Sequence, residues 1–278
     1  MKITLGFSPC PNDCFIFDAL VNKKIDTAGL EFDVVMEDVE TLNRLASAGT
    51  LQVTKLSYHA FAYFFQHYQL LNSGSALGSG CGPLVISKKV ISPEELETKS
   101  FKVAIPGRLT TANFLFSLRF PGANQKEAIV FSKIEESILN ETFDAGVIIH
   151  ENRFTYEKKG LKKIIDLGEW WESSTGSPIP LGGIVASRKL PREWLLKIDN
   201  MIRTSIRTAF ADPAGAMPFV RKHAAEMEEE VMKQHIALYV NDYSIDLGHE
   251  GRKAVQLLFQ KAKEAGMIRE VPADYLLS

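Results

Sequence analysis

The segment Ala145-Gly146-Val147-Ile148-Ile149-His150-Glu151-Asn152-Arg153 joins an aliphatic run to four polar side chains. Such a run suits a strand buried on both faces, and open α/β sheets gather ligands beyond the carboxyl ends of their strands. His150 stands at that end. An imidazole titrates near pH 6.5, about where a proton acceptor is useful at neutrality. The alternative is a histidine that caps the strand by bonding a nearby carbonyl. A second cluster, Pro106-Gly107-Arg108-Leu109-Thr110-Thr111-Ala112-Asn113-Phe114, puts glycine, hydroxyls and a basic group where a strand should hand over to a helix. Unpaired amides at a helix start favour a carboxylate or phosphate, and the hydroxyls of Thr110 and Thr111 add donors; Thr110 can equally act as the helix cap, and the two roles are compatible. Lys55 and Ser57 lie at the exit of a third apolar stretch, where an ammonium and a hydroxyl could meet a ligand, a solvated lysine being the ordinary alternative.

The elements that must position these groups follow a β-α-β rhythm. Ile3-Thr4-Leu5-Gly6-Phe7 reads as a strand, and Ser8-Pro9-Cys10-Pro11-Asn12-Asp13 leads into an apolar helix from about Cys14 to Val21, with Asn12 or Asp13 as its cap. A strand near residues 30–36 precedes a helix carrying Val39, Leu42, Leu45 and Ala46. Residues 51–57 form the next strand, followed by an aromatic helix through Tyr58, Phe61, Phe64 and Phe65, a stripe expected in the core. A glycine-rich stretch from Ser73 to Pro83 lacks the lysine-hydroxyl pair of a phosphate loop and reads as a hinge.

A second strand-helix series starts at Phe101-Lys102-Val103-Ala104-Ile105, with strands at Ile129-Val130-Phe131 and Ala145-Gly146-Val147-Ile148-Ile149 around a helix near residues 133–140. Pro180-Leu181-Gly182-Gly183-Ile184-Val185 echoes Gly82-Pro83-Leu84-Val85-Ile86, as if the chain crossed back. Two crossings imply a two-lobed clamshell: residues 1–84 with 186–278 as the larger lobe, 85–185 as the smaller, and hinge crossings near 84–90 and 180–187. From Arg192 onward helices dominate, with Leu195, Ile198, Ile202, Ile206 and Phe210 on one apolar face and Val255, Leu258, Phe259 and Ala262 on another.

Composition narrows the partners. A 278-residue chain with 45% hydrophobic and 24% charged residues is globular, and a net charge of -2 gives no basic footprint for nucleic acid. The expected partner is a small molecule. No apolar span is long enough to cross a bilayer and no export signal is visible, which places the protein in the cytoplasm; oligomeric state is not legible. Cys10, Cys14 and Cys81 form neither a disulfide framework nor, with any nearby histidine, a zinc set. His59, His67, His223, His235 and His249 lack metal-ligand spacing and are expected to be structural or solvent-facing. Asp166, Glu169 and Glu172 beside Trp170 and Trp171 suit either a cleft rim or a fastened loop, and Glu226, Glu228, Glu229 and Glu230 a solvated helix start.

Taken in order, Ser8-Pro9-Cys10-Pro11-Asn12-Asp13, Glu37-Asp38-Val39-Glu40-Thr41-Leu42-Asn43, Thr54-Lys55-Leu56-Ser57-Tyr58, Gly82-Pro83-Leu84-Val85, Pro106-Gly107-Arg108 with Thr110-Thr111-Ala112, Ile148-Ile149-His150-Glu151 with Arg153-Phe154-Thr155-Tyr156, and Asp166-Leu167-Gly168 with Trp170-Trp171-Glu172 span most of the chain. This set resembles the 1,4-dihydroxy-6-naphthoate synthase family of the futalosine route to menaquinone. The resemblance implies an α/β, periplasmic-binding-protein-like (type II) clamshell with mixed sheets flanked by helices. It implies an enzyme, a carbon-carbon lyase acting on cyclic dehypoxanthine futalosine, with no added cofactor and no metal. By analogy His150 is the general base, and Lys55, Leu56, Ser57, Thr111 and Ala112 contact substrate, with Thr110 as a neighbour. Cys14 and Leu109 depart from the family pattern without removing any of these residues. The competing readings are a non-catalytic binding protein of the same fold and a chorismate dehydratase of the same pathway.

Overall fold

In the computed structural model, which describes residues 1–224 and 228–278, the chain divides into two units: Met1–Gly78 with Pro180–Ser278, and Ser79–Ile179. Each builds its own sheet.

The first unit opens with β1 (Lys2–Phe7), α1 (Pro11–Val21), β2 (Glu31–Met36), α2 (Val39–Ser47), β3 (Val53–Ser57), α3 (Tyr58–Phe61), β4 (Tyr68–Leu70) and β5 (Ala76–Gly78). The second contains β6 (Leu84–Ser87), α4 (Pro93–Thr98), β7 (Val103–Ile105), α5 (Thr111–Arg119), β8 (Lys126–Ala128), α6 (Ile134–Leu139), β9 (Ala145–Ile148), β10 (Lys162–Asp166) and α7 (Leu167–Thr175). The chain then rejoins the first unit along β11 (Ile179–Ser187) and ends in α8 (Arg192–Ala211), α9 (Pro213–His223), α10 (Glu229–Tyr239), α11 (Asp242–Ile245) and α12 (Gly248–Glu264). Glu228 takes the position before α10 without a side-chain cap bond, Glu229 and Glu230 open its first turn, and Glu226 lies outside the described residues.

The first sheet has the order β2-β1-β3-β11-β4, with β5 paired to β11; β1 runs parallel to β2 and β3, while β11 is antiparallel to β3 and β4. The second has the order β10-β6-β9-β7-β8, parallel across β9-β7-β8 and antiparallel across β10-β6-β9. Both are mixed sheets flanked by helices, as the resemblance implies. Helix-linked crossovers give the parallel pairs, whereas the antiparallel pairs come from the returning strand β11 in the first sheet and from β6, between β10 and β9, in the second.

Apolar spacing explains the packing. Leu195, Ile198, Ile202 and Ile206 of α8 are buried with Ile3, Leu5 and Phe7 of β1 and Phe17 and Leu20 of α1. Ser205 ties α8 to α1, donating to the Ile16 carbonyl at 2.6 Å and accepting from the Leu20 amide at 3.1 Å. Phe210, expected on the same face, is 40% exposed. It is the penultimate residue of α8 and meets the buried Phe15 ring edge-on, with centroids 5.7 Å apart, leaving its other side open.

The aromatic stripe is core, yet its helix is a single turn. Tyr58, Phe61 and Phe65 all pack around Phe259 of α12, and that packing is compatible with turns after Phe61. The strand expected at Ile129-Val130-Phe131 lies three residues earlier, as β8. Its Lys126-Glu127-Ala128 sequence belongs to an exposed edge strand, which needs no apolar alternation, while Ile129 and Phe131 pack on the unit's core. Among the described residues, no helix is long and apolar enough to cross a membrane.

Candidate functional site

In the first unit the sheet brings a polar cluster to the carboxyl ends of β1 and β3. Gly6 pairs with Thr54 in parallel register, so Ser8 and Ser57 leave the sheet on the same edge. Helix α1 starts there too. The sequence suggests Asn12 or Asp13 as its cap, but the helix begins earlier, with Cys10 in the cap position and Pro11 at its first residue. Proline has no donor to leave unpaired and its fixed φ suits that position, so the helix starts ahead of Asn12 and Asp13, and Asp13 has another task.

That task is to hold Lys55. One carboxylate oxygen of Asp13 accepts from the Ser8 amide at 3.1 Å and hydroxyl at 2.7 Å; the other lies 3.4 Å from Lys55 Nζ and accepts from Asn12 Nδ2 at 3.0 Å. Lys55 Nζ also donates to the Gly74 carbonyl at 2.8 Å. Lys55 is 6% exposed, so the solvated alternative is overturned: the ammonium is buried, paired and hydrogen-bonded, as a buried charge must be. Ser57 is fixed by Asn43, whose Oδ1 accepts from the Ser57 amide at 3.2 Å. Leu56 alternates to the opposite face and is buried. Ser8, Asn43 and the pairing role of Asp13 escape a sequence reading, because each depends on a partner fixed only by strand register.

The second unit brings the remaining groups to one edge. Strands β7 and β9 are parallel, with Val103 opposite Ala145 and Ala104 opposite Gly146. The loop to Thr110 and the segment at His150 therefore leave the sheet at the same, carboxyl end. Thr110 caps α5: its hydroxyl accepts from the Asn113 amide at 3.2 Å and donates to the Gly107 carbonyl at 2.8 Å. Capping is thus realised, and Thr110, Thr111 and Ala112 are all buried at the helix start, where the helix dipole favours an anion.

His150 does not merely end a strand. It opens a short 3-10 helix, His150–Phe154, with φ of +60°, a left-handed conformation that costs a non-glycine residue on the order of 1–3 kcal/mol. Its ring is half-buried and meets the Phe131 ring edge-on, with centroids 5.1 Å apart. Two side chains of the same turn anchor it. Asn152 Nδ2 donates to Glu135 Oε2, which Lys159 Nζ also approaches at 2.6 Å. Arg153 donates to the Gly82 carbonyl and, at 3.1 Å, to Asp166 Oδ2, while Asp166 Oδ1 caps α7 through the Gly168 and Glu169 amides.

The glycine at position 82 is required by close approach. A Cβ there would fall 2.3 Å from the Gly168 Cα, so this end of the glycine-rich stretch is a tight crossing of β6 and α7. Glu172 accepts from the Gly80 amide at 2.8 Å and Trp171 is buried. The acidic-aromatic segment fastens its own unit.

Thiol chemistry has no footing here. All three cysteines are free and buried. Burial pushes the Cys81 thiol up to about 12 against the opposing pull of Arg153, and burial pushes Cys14 up as well. Among the described residues no group of three His, Cys, Asp or Glu side chains is arranged to hold a metal ion. His59 is buried in α3 and His235 in α10, the latter against Tyr239. His249 is exposed beside Glu250. The arrangement at His150 offers an imidazole, and the start of α5 a helix dipole that favours negative charge, groups suited to proton transfer and anion binding.

A family described as menaquinone biosynthesis matches residues 3–264. A Thermus thermophilus protein named 1,4-dihydroxy-6-naphthoate synthase is 44% identical over 97% of this chain and 97% of its own. A Streptomyces coelicolor protein of the same name is 39% identical over 99% of this chain and 97% of its own. Among solved structures, protein AF1704 from Archaeoglobus fulgidus superposes with a TM-score of 0.90 at 34% identity, covering 96% of this chain and 98% of that one. A Candida albicans protein described as having the generic periplasmic binding protein fold superposes at 0.74 with 12% identity, covering 99% of this chain and 93% of that one, and so speaks for the fold alone. With 262 consecutive positions, 3–264, matched and relatives this similar along their whole length, the chain belongs to the menaquinone biosynthesis family.

Proposed function

We propose that the protein is a 1,4-dihydroxy-6-naphthoate synthase, a carbon-carbon lyase that converts cyclic dehypoxanthine futalosine to 1,4-dihydroxy-6-naphthoate in the cytoplasm. His150 is the general base. It takes a proton from the sugar-derived part of the substrate, and the eliminations that follow release that fragment as the new ring becomes aromatic. No electron acceptor is needed, because proton removal and bond cleavage balance. Substrate contacts are assigned to Lys55, Leu56 and Ser57 in the first unit and to Thr110, Thr111 and Ala112 in the second, with the α5 start receiving the carboxylate or hydroxyls.

The observation that supports this reading is the placement of His150: an imidazole in a left-handed turn at the carboxyl end of β9, on the same sheet edge as the α5 start. Strained backbone of this kind concentrates at functional sites. The test is incubation of purified protein with cyclic dehypoxanthine futalosine, followed by detection of the naphthoate. Wild type should form it, and His150→Ala should bind substrate while losing roughly 10²–10⁴-fold in kcat, the range of general base catalysis. Substrate binding without product from wild type would instead identify a binding protein. Turnover by His150→Ala at the wild-type rate would remove the base assignment even if the activity stood.

A further inference from the structure

We propose that Asn152 and Glu135 are positioning residues for His150, a pair that holds the imidazole in its left-handed setting; the proposal rests on the reading of His150 as the general base. The histidine belongs to a five-residue 3-10 helix that has no side-chain cap and follows a strand of four residues. Local sequence does not favour this conformation. A non-glycine residue at positive φ persists only where surrounding contacts over-determine it. Two of those contacts come from one neighbouring element.

Phe131 and Glu135 stand four residues apart on the continuous helical run from Phe131 to Leu139, so they share a face. Phe131 meets the His150 ring edge-on at 5.1 Å, and Glu135 receives the Asn152 amide. The same face therefore grips the turn at its first and third residues. Glu135 is 3% exposed and Asn152 8%, so this contact is shielded from water. Only one oxygen of the Glu135 carboxylate is used, shared by Asn152 and Lys159; Oε1 has no hydrogen-bond partner. An acid that served only to stabilise the fold would be expected to satisfy both oxygens or to yield its place to an apolar side chain. Lys159 sits on the other side of the turn from Asn152 in sequence, and its ammonium balances the carboxylate, so Glu135 gathers both ends of the stretch from Asn152 to Lys159.

Arg153 anchors the same turn to Gly82 and Asp166, but that bridge also caps α7 through Asp166. Replacing Arg153 would disturb two elements together. Asn152 offers the cleaner test, because Asn152→Ala leaves the Glu135–Lys159 pair in place.

The expected result for Asn152→Ala is a fall in kcat of about 10–100-fold with KM changed less than about twofold, the size of effect that a misplacement near 1 Å produces. Thermal unfolding should remain a single cooperative transition. In the His150→Ala background the same substitution should reduce the residual turnover no further, because residues that act as one unit are not additive. Nuclear magnetic resonance of the imidazoles should show one histidine shifted by Asn152→Ala, the one missing from the His150→Ala spectrum, with the other five unchanged. Glu135→Gln, which keeps an oxygen for the Asn152 amide, should retain more kcat than Glu135→Leu. The proposal is overturned if Asn152→Ala keeps wild-type kcat, if its loss adds in full to that of His150→Ala, or if the His150 resonance does not move. Full activity of His150→Ala would overturn the base assignment, and that single variant distinguishes this failure from failure of the positioning pair.

Discussion

Lys55 lies inside a strand paired on both sides, buried, with an ion-pair partner and a carbonyl fixing its ammonium; His150 lies on a short turn, half-buried, in a backbone conformation that its own residue type disfavours. In the first unit the ladder itself sets the position of the polar group. In the second, the Glu135 side chain of α6, the Gly82 carbonyl just before β6 and the Asp166 side chain at the end of β10 set it. A strand can carry a group that must simply be present and charged. A group proposed to exchange a proton needs access, which regular buried structure denies it, and the position of His150 is secured by bonds from the side.

This contrast predicts stability effects in the first unit and rate effects in the second. After the loss expected for His150→Ala, the largest effect is that of Asp13→Ala, which leaves the buried Lys55 ammonium without its carboxylate and both Ser8 donors without an acceptor. Breaking such a buried pair costs about 3–5 kcal/mol, and chemical denaturation should show a loss of that size. A loss below about 1 kcal/mol, the ordinary size for a surface pair, would mean that Lys55 is not held as a structural ion and would erase the contrast. Next comes Thr111→Val at the α5 start. Substrate affinity should weaken by about 0.5–1.5 kcal/mol, the net worth of a hydrogen bond, and unchanged affinity by calorimetry would rule out a direct contact.

The smallest effect concerns pH. Burial pushes the Asp199 carboxyl above its ordinary range, against the pull of the Ser73 amide and Arg203. A raised folded-state pKa means that the folded protein holds this proton more tightly than the unfolded chain. The contribution of Asp199 is therefore full below about pH 3.9, the ordinary aspartate value, and is lost as pH rises through the folded-state value. The stability of wild type relative to Asp199→Asn should accordingly decrease across that interval. An increase would reverse the assignment. Because the Ser73 amide precedes Gly74, whose carbonyl binds Lys55, the same titration tests whether the first unit's polar framework tolerates loss of the Asp199 anion.

Much of this molecule is readable from sequence. The α/β rhythm, the aliphatic run ending at His150, the helix start at Thr110 and the aromatic core follow from periodicity and residue type, while the mixed sheets and the family follow from the resemblance that the ordered motifs carry. Short-range preference fails in specific places. Pro11 moves the α1 start ahead of Asn12, β8 takes a polar edge segment in place of its apolar neighbours, and Phe210 packs edge-on against buried Phe15 yet keeps its other side exposed at the end of α8. The first is settled by proline's own fixed φ, the other two by neighbouring structure that a local pattern does not contain.

The sequence by itself determined which chemical groups exist and which elements deliver them, because hydrophobic period and capping residues act over a few positions. Only tertiary structure decided that Asp13 meets Lys55, that Glu135 meets Asn152 and that His150 takes a left-handed backbone. Those facts depend on strand register and on helices packed from elsewhere in the chain, and a buried charge or a strained residue becomes affordable only when such distant partners arrive together.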